Sequence, residues 1–589
     1  MRSRVPYVLA GVGAAIPVIN STIKAVHAGW VPAGDDGIIA TRGLDVLTSH
    51  TPLVGQYSEA GLVIRGQVMH SPGPMLYWLL ALPAHFGSVA SLAVTMGAIN
   101  TLAIVGCVAL AGRRGGLVLM FAAALAIALM CQSLPTEAMH DIWNPAAGLF
   151  PFLLLIFLCW SLACGEYRLL PAVALDASYV IQTHLMYAAP TALLLAVGLG
   201  GLLVRPLGRL RIRRPRRTAA APAALSAPAA IAASASAAAP TASQQRRPRV
   251  WPWALLALVL TAACWTPPAI DQIENNPGNL TMIVRTAEHH GATLGASVGW
   301  HAIVRSIGVR PWWLYVPASE WQRKYDVLAI PSHTAVNTAL AILGALVLVG
   351  VVGALRRRWD LTAAALIALG LCAAIGLEAA SNPSTRLLAE TLGYTMWWGS
   401  ELGMWVWLVL AWALWLALAG LTRPALRLLA HDQRARVALL SAPLRLACVA
   451  GVSLAAVAGI AAVGNAVAAS ARPDSHEYEY RSVAKMAAGI ERMIPPHQTI
   501  AYHLGPLDLG TQPMEPAIRF LLVRHGDRVL ANGSYPRLGS YYEQYDRPVQ
   551  WTVYVADGKP HPRRMKLAAR VRFNGPWGIE TVSAWVRRQ

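Results

Sequence analysis

The chain has 589 residues, of which 56% are hydrophobic and only 13% are charged. A typical soluble domain carries roughly 25% charged residues. Together with a mean hydropathy of +0.45, this composition excludes a soluble globular enzyme, a disordered chain and a fibrous protein. Apolar runs of about 20 residues recur, and each is long enough to cross a bilayer. The sequence therefore predicts an α-helical membrane protein with many spans.

Eleven membrane spans follow from the apolar runs, and the first is a retained span rather than a cleaved signal peptide, because no small-residue cleavage site follows it. In chain order the predicted spans cover about 5–23, 89–112, 115–133, 146–164, 169–188, 189–204, 251–268, 334–355, 361–377, 402–421 and 447–469.

The net charge of +20 is distributed unevenly between the connecting segments. With the N-terminus in the cytoplasm, the inner segments hold 23 Lys and Arg and three acids, whereas the outer loops hold 9 basic residues and 14 acids. The positive-inside rule favours this orientation. The basic excess is then a topology signal, and nucleic acid binding is not needed to explain it.

Three further regions do not read as membrane spans. Residues 72–87 are apolar but short and contain three prolines, which predicts an interfacial or re-entrant helix on the outer side. Residues 205–250 are rich in Arg, Ala and Pro and predict a disordered cytoplasmic loop. The last segment predicts a small extracytoplasmic α/β domain, with helices at 475–494 and 515–524 and strands at 499–503 and 549–555. The predicted division is 1–204, 205–250, 251–469 and 470–589.

The first outer loop carries the strongest chemical signal. Asp35 and Asp36 are adjacent and lie shortly after the first span. Such a pair can act as a general base toward a hydroxyl or bind a divalent cation, and the alternative is a helix cap in a solvated loop. Arg42, Arg65 and His70 follow in the same loop and can hold a phosphate. The apolar helix after them suits a lipid tail.

Other polar candidates lie in the remaining outer loops. On a helix Glu137, His140 and Asp141 would share one face, a spacing that also suits a metal, although three polar residues at a helix end are usually solvated. Arg386 is a second phosphate candidate, and the aromatic residues of the third loop suit either an interfacial belt or sugar stacking. Further substrate-binding candidates are Asn144, Gln182, His184, Gln272 and Asn279.

Several sequence pieces together resemble a known family. They are GDD at 34–36, HSPGPMLYWLLALP at 70–83, WNP at 143–145, IQTHLMYAAP at 181–190, and PPAIDQ with PGNL between 267 and 280. These pieces resemble the GT-C glycosyltransferases, which include the protein O-mannosyltransferase, aminoarabinose transferase and arabinofuranosyltransferase groups, and they are similar to actinobacterial members. The resemblance covers about 1–300 well, the later spans by layout only and the C-terminal segment hardly at all.

The resemblance implies an inverting glycosyltransferase on the outer face of the cytoplasmic membrane. It would move arabinofuranose or mannose from a polyprenyl-phosphate donor to a cell-envelope glycan, lipoglycan or protein. Asp35 matches the catalytic aspartate of the family, Asp36 is the close alternative, and His70 stands at the family's His-Pro motif. Many relatives have a second acid at the position of Ala40, which would complete a two-carboxylate metal site. Its absence leaves open whether this protein uses a divalent cation.

Two other functions remain compatible with the sequence: a transporter or flippase for lipid-linked glycans, and a non-catalytic membrane scaffold. A transporter usually shows internal repeats and helices broken at the midplane, and the sequence shows neither. Substitution of Asp35 separates the enzyme from the other two, since only an enzyme would lose turnover while it still folds and binds lipid.

Overall fold

The computed structural model describes residues 5–210, 250–289, 291–319, 321–437, 442–544, 547–558 and 562–589. The first part of the chain forms helices α1 (Val5–Ala14), α2 (Ile16–Ala28), α3 (Asp35–Asp45), α4 (Met75–Phe86), α5 (Ser91–Met130), α6 (Asn144–Ala147), α7 (Leu149–Ala163), α8 (Leu170–Thr183), α9 (Ala188–Leu210), α10 (Trp251–Glu274) and α11 (Asn279–Glu288). The second part forms α12 (Gly295–Ile307), α13 (Gln322–Leu328), α14 (His333–Leu355), α15 (Trp359–Ser381), α16 (Arg386–Glu390), α17 (Leu392–Thr395), α18 (Gly399–Val437), α19 (Ala442–Ser470), α20 (Glu477–Glu491), α21 (Met514–Arg524) and α22 (Tyr535–Leu538). The strands are β1 (Thr499–Leu504), β2 (Arg528–Leu530), β3 (Trp551–Asp557), β4 (Lys566–Gly575) and β5 (Gly578–Arg588).

The described residues include eight helices that are long and apolar enough to cross a membrane. Helices α1 and α2 are bent by 53° at their junction and together make a ninth candidate. The chain is therefore a multi-pass α-helical membrane protein with a small C-terminal sheet, and the predicted fold class is confirmed.

Helix α5 contains two of the predicted spans, because the chain reverses direction inside it. Gly116 has φ 68° and ψ −159°, which no helical residue adopts. A Cβ at Gly112 would lie 3.3 Å from Cβ of Met120, whereas eight residues of continuous helix would separate the two by about 12 Å along the axis. Residues 91–115 and 117–130 are thus two antiparallel arms, in agreement with the predicted spans at 89–112 and 115–133.

Two apolar helices are shorter than a membrane span. Helix α8 has 14 residues and covers the predicted fifth span, so that all eleven predicted spans fall on helical segments. Helix α4 has 12 residues, or about 18 Å of helix, which is less than the roughly 30 Å of a hydrocarbon core. It cannot cross a bilayer alone, and its place at the membrane surface stays a prediction.

The segments predicted to lie inside meet at one end of the helix bundle. Arg113 and Arg114 both form ion pairs with Glu166, and the Trp160 indole donates to the carbonyl of Asp360 at 2.8 Å. Most of the predicted inner loop 205–250 lies outside the described residues.

The predicted outer loops meet at the opposite end of the bundle. The side-chain oxygen of Asn279 accepts from the backbone N–H of His70 at 2.8 Å, which joins the third loop to the first. Thr136 of the second loop donates to the carbonyl of Arg472 at 2.7 Å, which joins that loop to the segment after α19. The grouping of the loops is therefore as predicted.

Residues 470–589, called here the C-terminal domain, contain a five-stranded mixed sheet in the order β2-β1-β3-β5-β4. Strand β1 runs parallel to β2 and β3, and β5 is antiparallel to β3 and β4. The two predicted helices and two predicted strands of this segment are confirmed as α20, α21, β1 and β3. The β4–β5 hairpin was not predicted, and the domain division stays a prediction.

The C-terminal domain packs directly on the first outer loop through α21 and α3. The backbone N–H of Gly34 donates to the carbonyl of Pro513 at 2.8 Å. A Cβ at Gly37 would overlap the backbone of Pro516. The two glycines of the Gly34-Asp35-Asp36-Gly37 sequence thus allow close approach of the domain to the aspartate pair.

Candidate active site

The local backbone explains why two adjacent aspartates end up in different surroundings. Gly34 has φ 56°, a left-handed conformation that suits glycine, and α3 begins directly after it. Acids in the first turn are favourable because the helix N-terminus carries partial positive charge. Successive residues of a helix point about 100° apart. The Asp35 side chain is 42% exposed, whereas Asp36 is 5% exposed.

Asp35 lines a cavity of about 630 Å³ at the loop end of the bundle. This volume lies within the range of small-molecule sites. Its polar wall includes Asp35, Tyr57, Asn144, His184, Glu378, Tyr394 and Arg537. Its apolar wall includes Leu185, Met186, Ile283, Leu377 and Leu388, which come from α9, α11, α15 and α16 or the segments beside them. The cavity therefore combines polar groups, among them the acids Asp35, Glu59 and Glu378, with an apolar surface beside the membrane helices.

Arg537 is the one Lys or Arg that lines this cavity in the part of the chain that the structure describes. Its Nη1 lies 3.7 Å from Oδ1 of Asp35, and its guanidinium lies 6.0 Å from the ring centre of Tyr57. The side chain is 49% exposed, so its other N–H groups can reach a ligand. The sequence analysis missed Arg537 because a single arginine in a polar domain carries no motif.

Asp36 points away from the cavity toward Asp141 of the second loop. Burial raises the pKa of Asp36 well above its usual range, and the carboxyl of Asp141, within hydrogen-bonding reach, raises this pKa further. Of the two adjacent aspartates, only Asp35 lines the cavity.

His140 serves as a buried link between three parts of the molecule. Its Nδ1 lies 2.7 Å from Oγ of Ser21 and its Nε2 lies 3.1 Å from Oδ2 of Asp474. Burial lowers the pKa of His140, but the hydrogen bond to Asp474 and the nearby acids raise it more, and the net shift is upward. His140 therefore ties α2 and the second loop to the C-terminal domain.

The second loop does not form a continuous helix, so Glu137, His140 and Asp141 do not share one helix face as predicted. A short 3₁₀ turn covers Glu137–Met139 and ends because His140 has an extended φ of −143°. His140 then turns toward Asp474 and Asp141 toward Asp36, while Glu137 lines a separate pocket of about 310 Å³.

The predicted phosphate-binding residues lie away from the cavity. Arg42 pairs with Asp45 at 2.7 Å and donates to the carbonyl of Leu538 at 2.9 Å. Nε2 of His70 lies 2.8 Å from the carbonyl oxygen of Pro536, and burial lowers the pKa of this histidine. Arg65 and Arg386 are exposed and do not line the cavity. Arg42 and His70 thus hold the C-terminal domain on the first loop.

Among the predicted substrate residues, the structure brings Asn144 and His184 together with Asp35. Both line the cavity, and Asn144 is fixed by donation to the carbonyl of Thr183 at 3.0 Å. Gln182 instead donates to the carbonyl of Cys264 at 2.9 Å, so its amide is used in helix packing.

Gln272 and Asn279 hold the third loop in place rather than line the cavity. Gln272 donates to Thr281 at 2.7 Å. The side-chain amide of Asn279 forms hydrogen bonds with the backbone of His70. The backbone N–H of Asn279 donates to the carboxylate of Asp271 at 2.8 Å. These contacts position the first loop, which carries Asp35.

Glu378 is a second cavity residue that the sequence analysis missed. It lies on α15 and accepts a hydrogen bond from the Trp398 indole at 2.9 Å. An acid inside an apolar span is a usable signal, because such residues usually face a cavity or a partner.

Within the described ranges, no group of three or more His, Cys, Asp and Glu side chains is arranged to hold a metal ion. The carboxylates near Asp35 are divided between the cavity and the buried Asp36–Asp141 pair. These residues therefore do not form a defined site for a divalent cation.

The fold of the described helices and of the C-terminal sheet is similar to that of a solved membrane-protein structure. One solved structure with a similar fold is that of ArnT from Cupriavidus metallidurans bound to undecaprenyl phosphate, and ArnT is a GT-C aminoarabinose transferase. The two chains are 15% identical, 97% of each is covered, and the TM-score is 0.50. At this identity the likeness concerns the fold. No protein-family model matches the sequence, and no curated protein matches it.

Proposed function

We propose that this protein is an inverting glycosyltransferase that uses a polyprenyl-phosphate sugar. The observation that carries the proposal is the exposed carboxylate of Asp35 in a cavity of about 630 Å³, with Arg537 3.7 Å away. The donor class is supported by the similar ArnT structure, which contains undecaprenyl phosphate. Arabinofuranose or mannose is the proposed sugar, from the sequence resemblance.

Asp35 is proposed as the general base. Its carboxylate takes the proton of an acceptor hydroxyl while that oxygen attacks the anomeric carbon of the donor. The bond from the anomeric carbon to the phosphate oxygen breaks with its electron pair on the phosphate, and the configuration inverts. Asp36 is the weaker candidate because it is buried, does not line the cavity, and has a pKa that burial and the neighbouring Asp141 raise.

Arg537 is proposed to stabilise the leaving phosphate. A lipid phosphate is already a good leaving group and needs mainly a cation to balance its growing charge. In an in-line displacement the base and the leaving phosphate lie on opposite sides of the anomeric carbon. The guanidinium of Arg537 lies beside Asp35 and is long enough to extend from this base toward the phosphate. The apolar wall of Leu185, Met186 and Ile283 would take the start of the prenyl chain.

The proposed topology places this site on the outer face of the cytoplasmic membrane. It rests on the Lys and Arg excess at the opposite end of the bundle. The N-terminus is then cytoplasmic and the C-terminal domain extracytoplasmic, beside cell-envelope acceptors such as a glycan, lipoglycan or protein.

The test is sugar transfer by the purified full-length protein in nanodiscs, with polyprenyl-phosphate arabinose and polyprenyl-phosphate mannose offered in parallel. We expect transfer from one donor, and a loss of about 10²- to 10⁴-fold in Asp35→Asn with undecaprenyl phosphate binding unchanged. Glu274→Gln, an exposed acid at the same end, is the matched control. Transfer by Asp35→Asn at the wild-type rate would contradict the proposal, and lipid binding without transfer from either donor would favour a transporter or scaffold.

A further inference from the structure

A second, polar cleft adjoins the cavity at Arg537. It has a volume of about 220 Å³ and lies between α3 and the C-terminal domain. One wall is formed by Gly37, Ile38 and Thr41 of α3. The opposite wall belongs to the C-terminal domain and is formed by Leu504, Glu515, Pro516, Arg519, Asn532, Gly533, Ser534 and Leu538. Arg537 lines both this cleft and the cavity.

Arg519 gives the cleft a buried group that is not fully used by the protein. The residue is 8% exposed, forms an ion pair with Glu515 at 2.6 Å and donates to Oγ of Ser534 at 2.8 Å. Its Nε is buried and has no hydrogen-bond partner among the described residues. A buried N–H without a partner is costly.

The chemistry of this lining suits a polyhydroxylated ligand. Guanidinium, carboxylate and amide groups are planar and can each bond two neighbouring hydroxyl groups, and Arg519, Glu515 and Asn532 supply one of each. Ile38, Pro516 and Leu538 supply apolar surface for the carbon face of a sugar ring. A volume of about 220 Å³ accommodates about one such ring.

We propose that this cleft binds the acceptor, and that the acceptor is a carbohydrate chain. The inference rests on the proposed function and adds the class of acceptor and the site that holds it. A sugar in the cleft would approach Asp35 past Arg537 from the side of the C-terminal domain, while the donor occupies the cavity on the membrane side. Its free hydroxyl would then reach the carboxylate without crossing the donor.

The experiment blocks the cleft at an exposed position. Asn532→Trp places an indole in the cleft, and Asn574→Trp, at an exposed site on β4 at the far edge of the sheet, is the matched control. The full-length proteins in nanodiscs are offered a linear hexasaccharide of arabinofuranose or mannose, and separately a Ser/Thr-rich peptide. Hexasaccharide binding is followed by saturation-transfer NMR, and donor-site integrity by undecaprenyl phosphate binding.

We expect Asn532→Trp to lower both hexasaccharide binding and transfer at least tenfold, with undecaprenyl phosphate binding unchanged and Asn574→Trp equal to wild type. The inference is overturned if Asn532→Trp binds the hexasaccharide as tightly as the unsubstituted protein does. It is also overturned if the unsubstituted protein transfers sugar to the peptide and not to the hexasaccharide. If Asp35→Asn loses transfer while Asn532→Trp does not, the cleft assignment fails and the proposed function stands. If no donor supports transfer, the proposed function fails, and the binding measurement still tests the cleft.

Discussion

Two of the polar contacts that join the C-terminal domain to the outer loops have opposite surroundings. The Asp35–Arg537 pair opens on the cavity, with side chains 42% and 49% exposed. The His140–Asp474 pair is sealed, with side chains 0% and 5% exposed. Exposed ion pairs contribute little to stability, whereas a buried pair is costly to break. We therefore assign the exposed Asp35–Arg537 pair to ligand chemistry and the buried His140–Asp474 pair to the packing of the C-terminal domain on the outer loops.

The largest effect on stability is expected from breaking the sealed pair. His140→Ala leaves Asp474 buried with fewer partners and should lower the free energy of unfolding by about 3–5 kcal/mol. Thermal unfolding of the full-length protein measures this change. Arg537→Gln is the matched comparison at the open pair and should leave the unfolding temperature nearly unchanged.

The contribution of His140 should also depend on pH. Because the folded state raises its pKa above the ordinary value of 6.5, the stabilisation is complete below that value and is lost as pH rises through the folded pKa. The difference in unfolding temperature between wild type and His140→Ala should therefore shrink toward alkaline pH. An equal difference at all pH values would contradict this assignment.

The next effect concerns turnover through the open pair. Arg537→Gln removes a charge-assisted contact worth about 1.5–3 kcal/mol, or about 10- to 100-fold in kcat/KM for the donor. Arg537→Lys keeps the charge and should recover part of the loss. Donor kinetics of the three proteins provide the measurement, and equal values for wild type and Arg537→Gln would remove Arg537 from the donor site.

The smallest effect is expected at Asp36. Because the folded state raises its pKa above 3.8, its stabilising contribution is complete below that value and is lost as pH rises through the folded pKa. Asp36→Asn imitates the protonated form and should gain about 1–2 °C in unfolding temperature over wild type as pH rises from 4 to 8. A constant difference would show that Asp36 does not titrate in this range.

The sequence was sufficient for the parts of the fold that depend on local pattern. Spans follow from runs of apolar residues, and the reversal at Gly116 corresponds to the predicted boundary between the spans 89–112 and 115–133. The β4–β5 hairpin was missed because its burial does not alternate regularly: only Val571 of β4 is buried, whereas five consecutive residues of β5 are buried.

The site was only partly accessible from the sequence, because it is built from segments far apart in the chain. Asp35 was recognisable from its place after a span, but nothing local separated it from Asp36, which is buried and faces Asp141 of the second loop. Arg42 was assigned to phosphate, but it pairs with Asp45 on the same helix and donates to the carbonyl of Leu538, a partner that lies near only once the C-terminal domain has docked. Arg537 enters the cavity through the same docking.

The most direct test compares the adjacent aspartates in one assay. Single-turnover sugar transfer from the accepted polyprenyl-phosphate donor is measured for wild type, Asp35→Asn and Asp36→Asn, all with undecaprenyl phosphate binding verified. The account predicts a loss of about 10²- to 10⁴-fold in Asp35→Asn and a rate within about threefold of wild type in Asp36→Asn, because Asp36 is buried and does not line the cavity. Full activity in Asp35→Asn, or loss confined to Asp36→Asn, would contradict the assignment of Asp35 as the base.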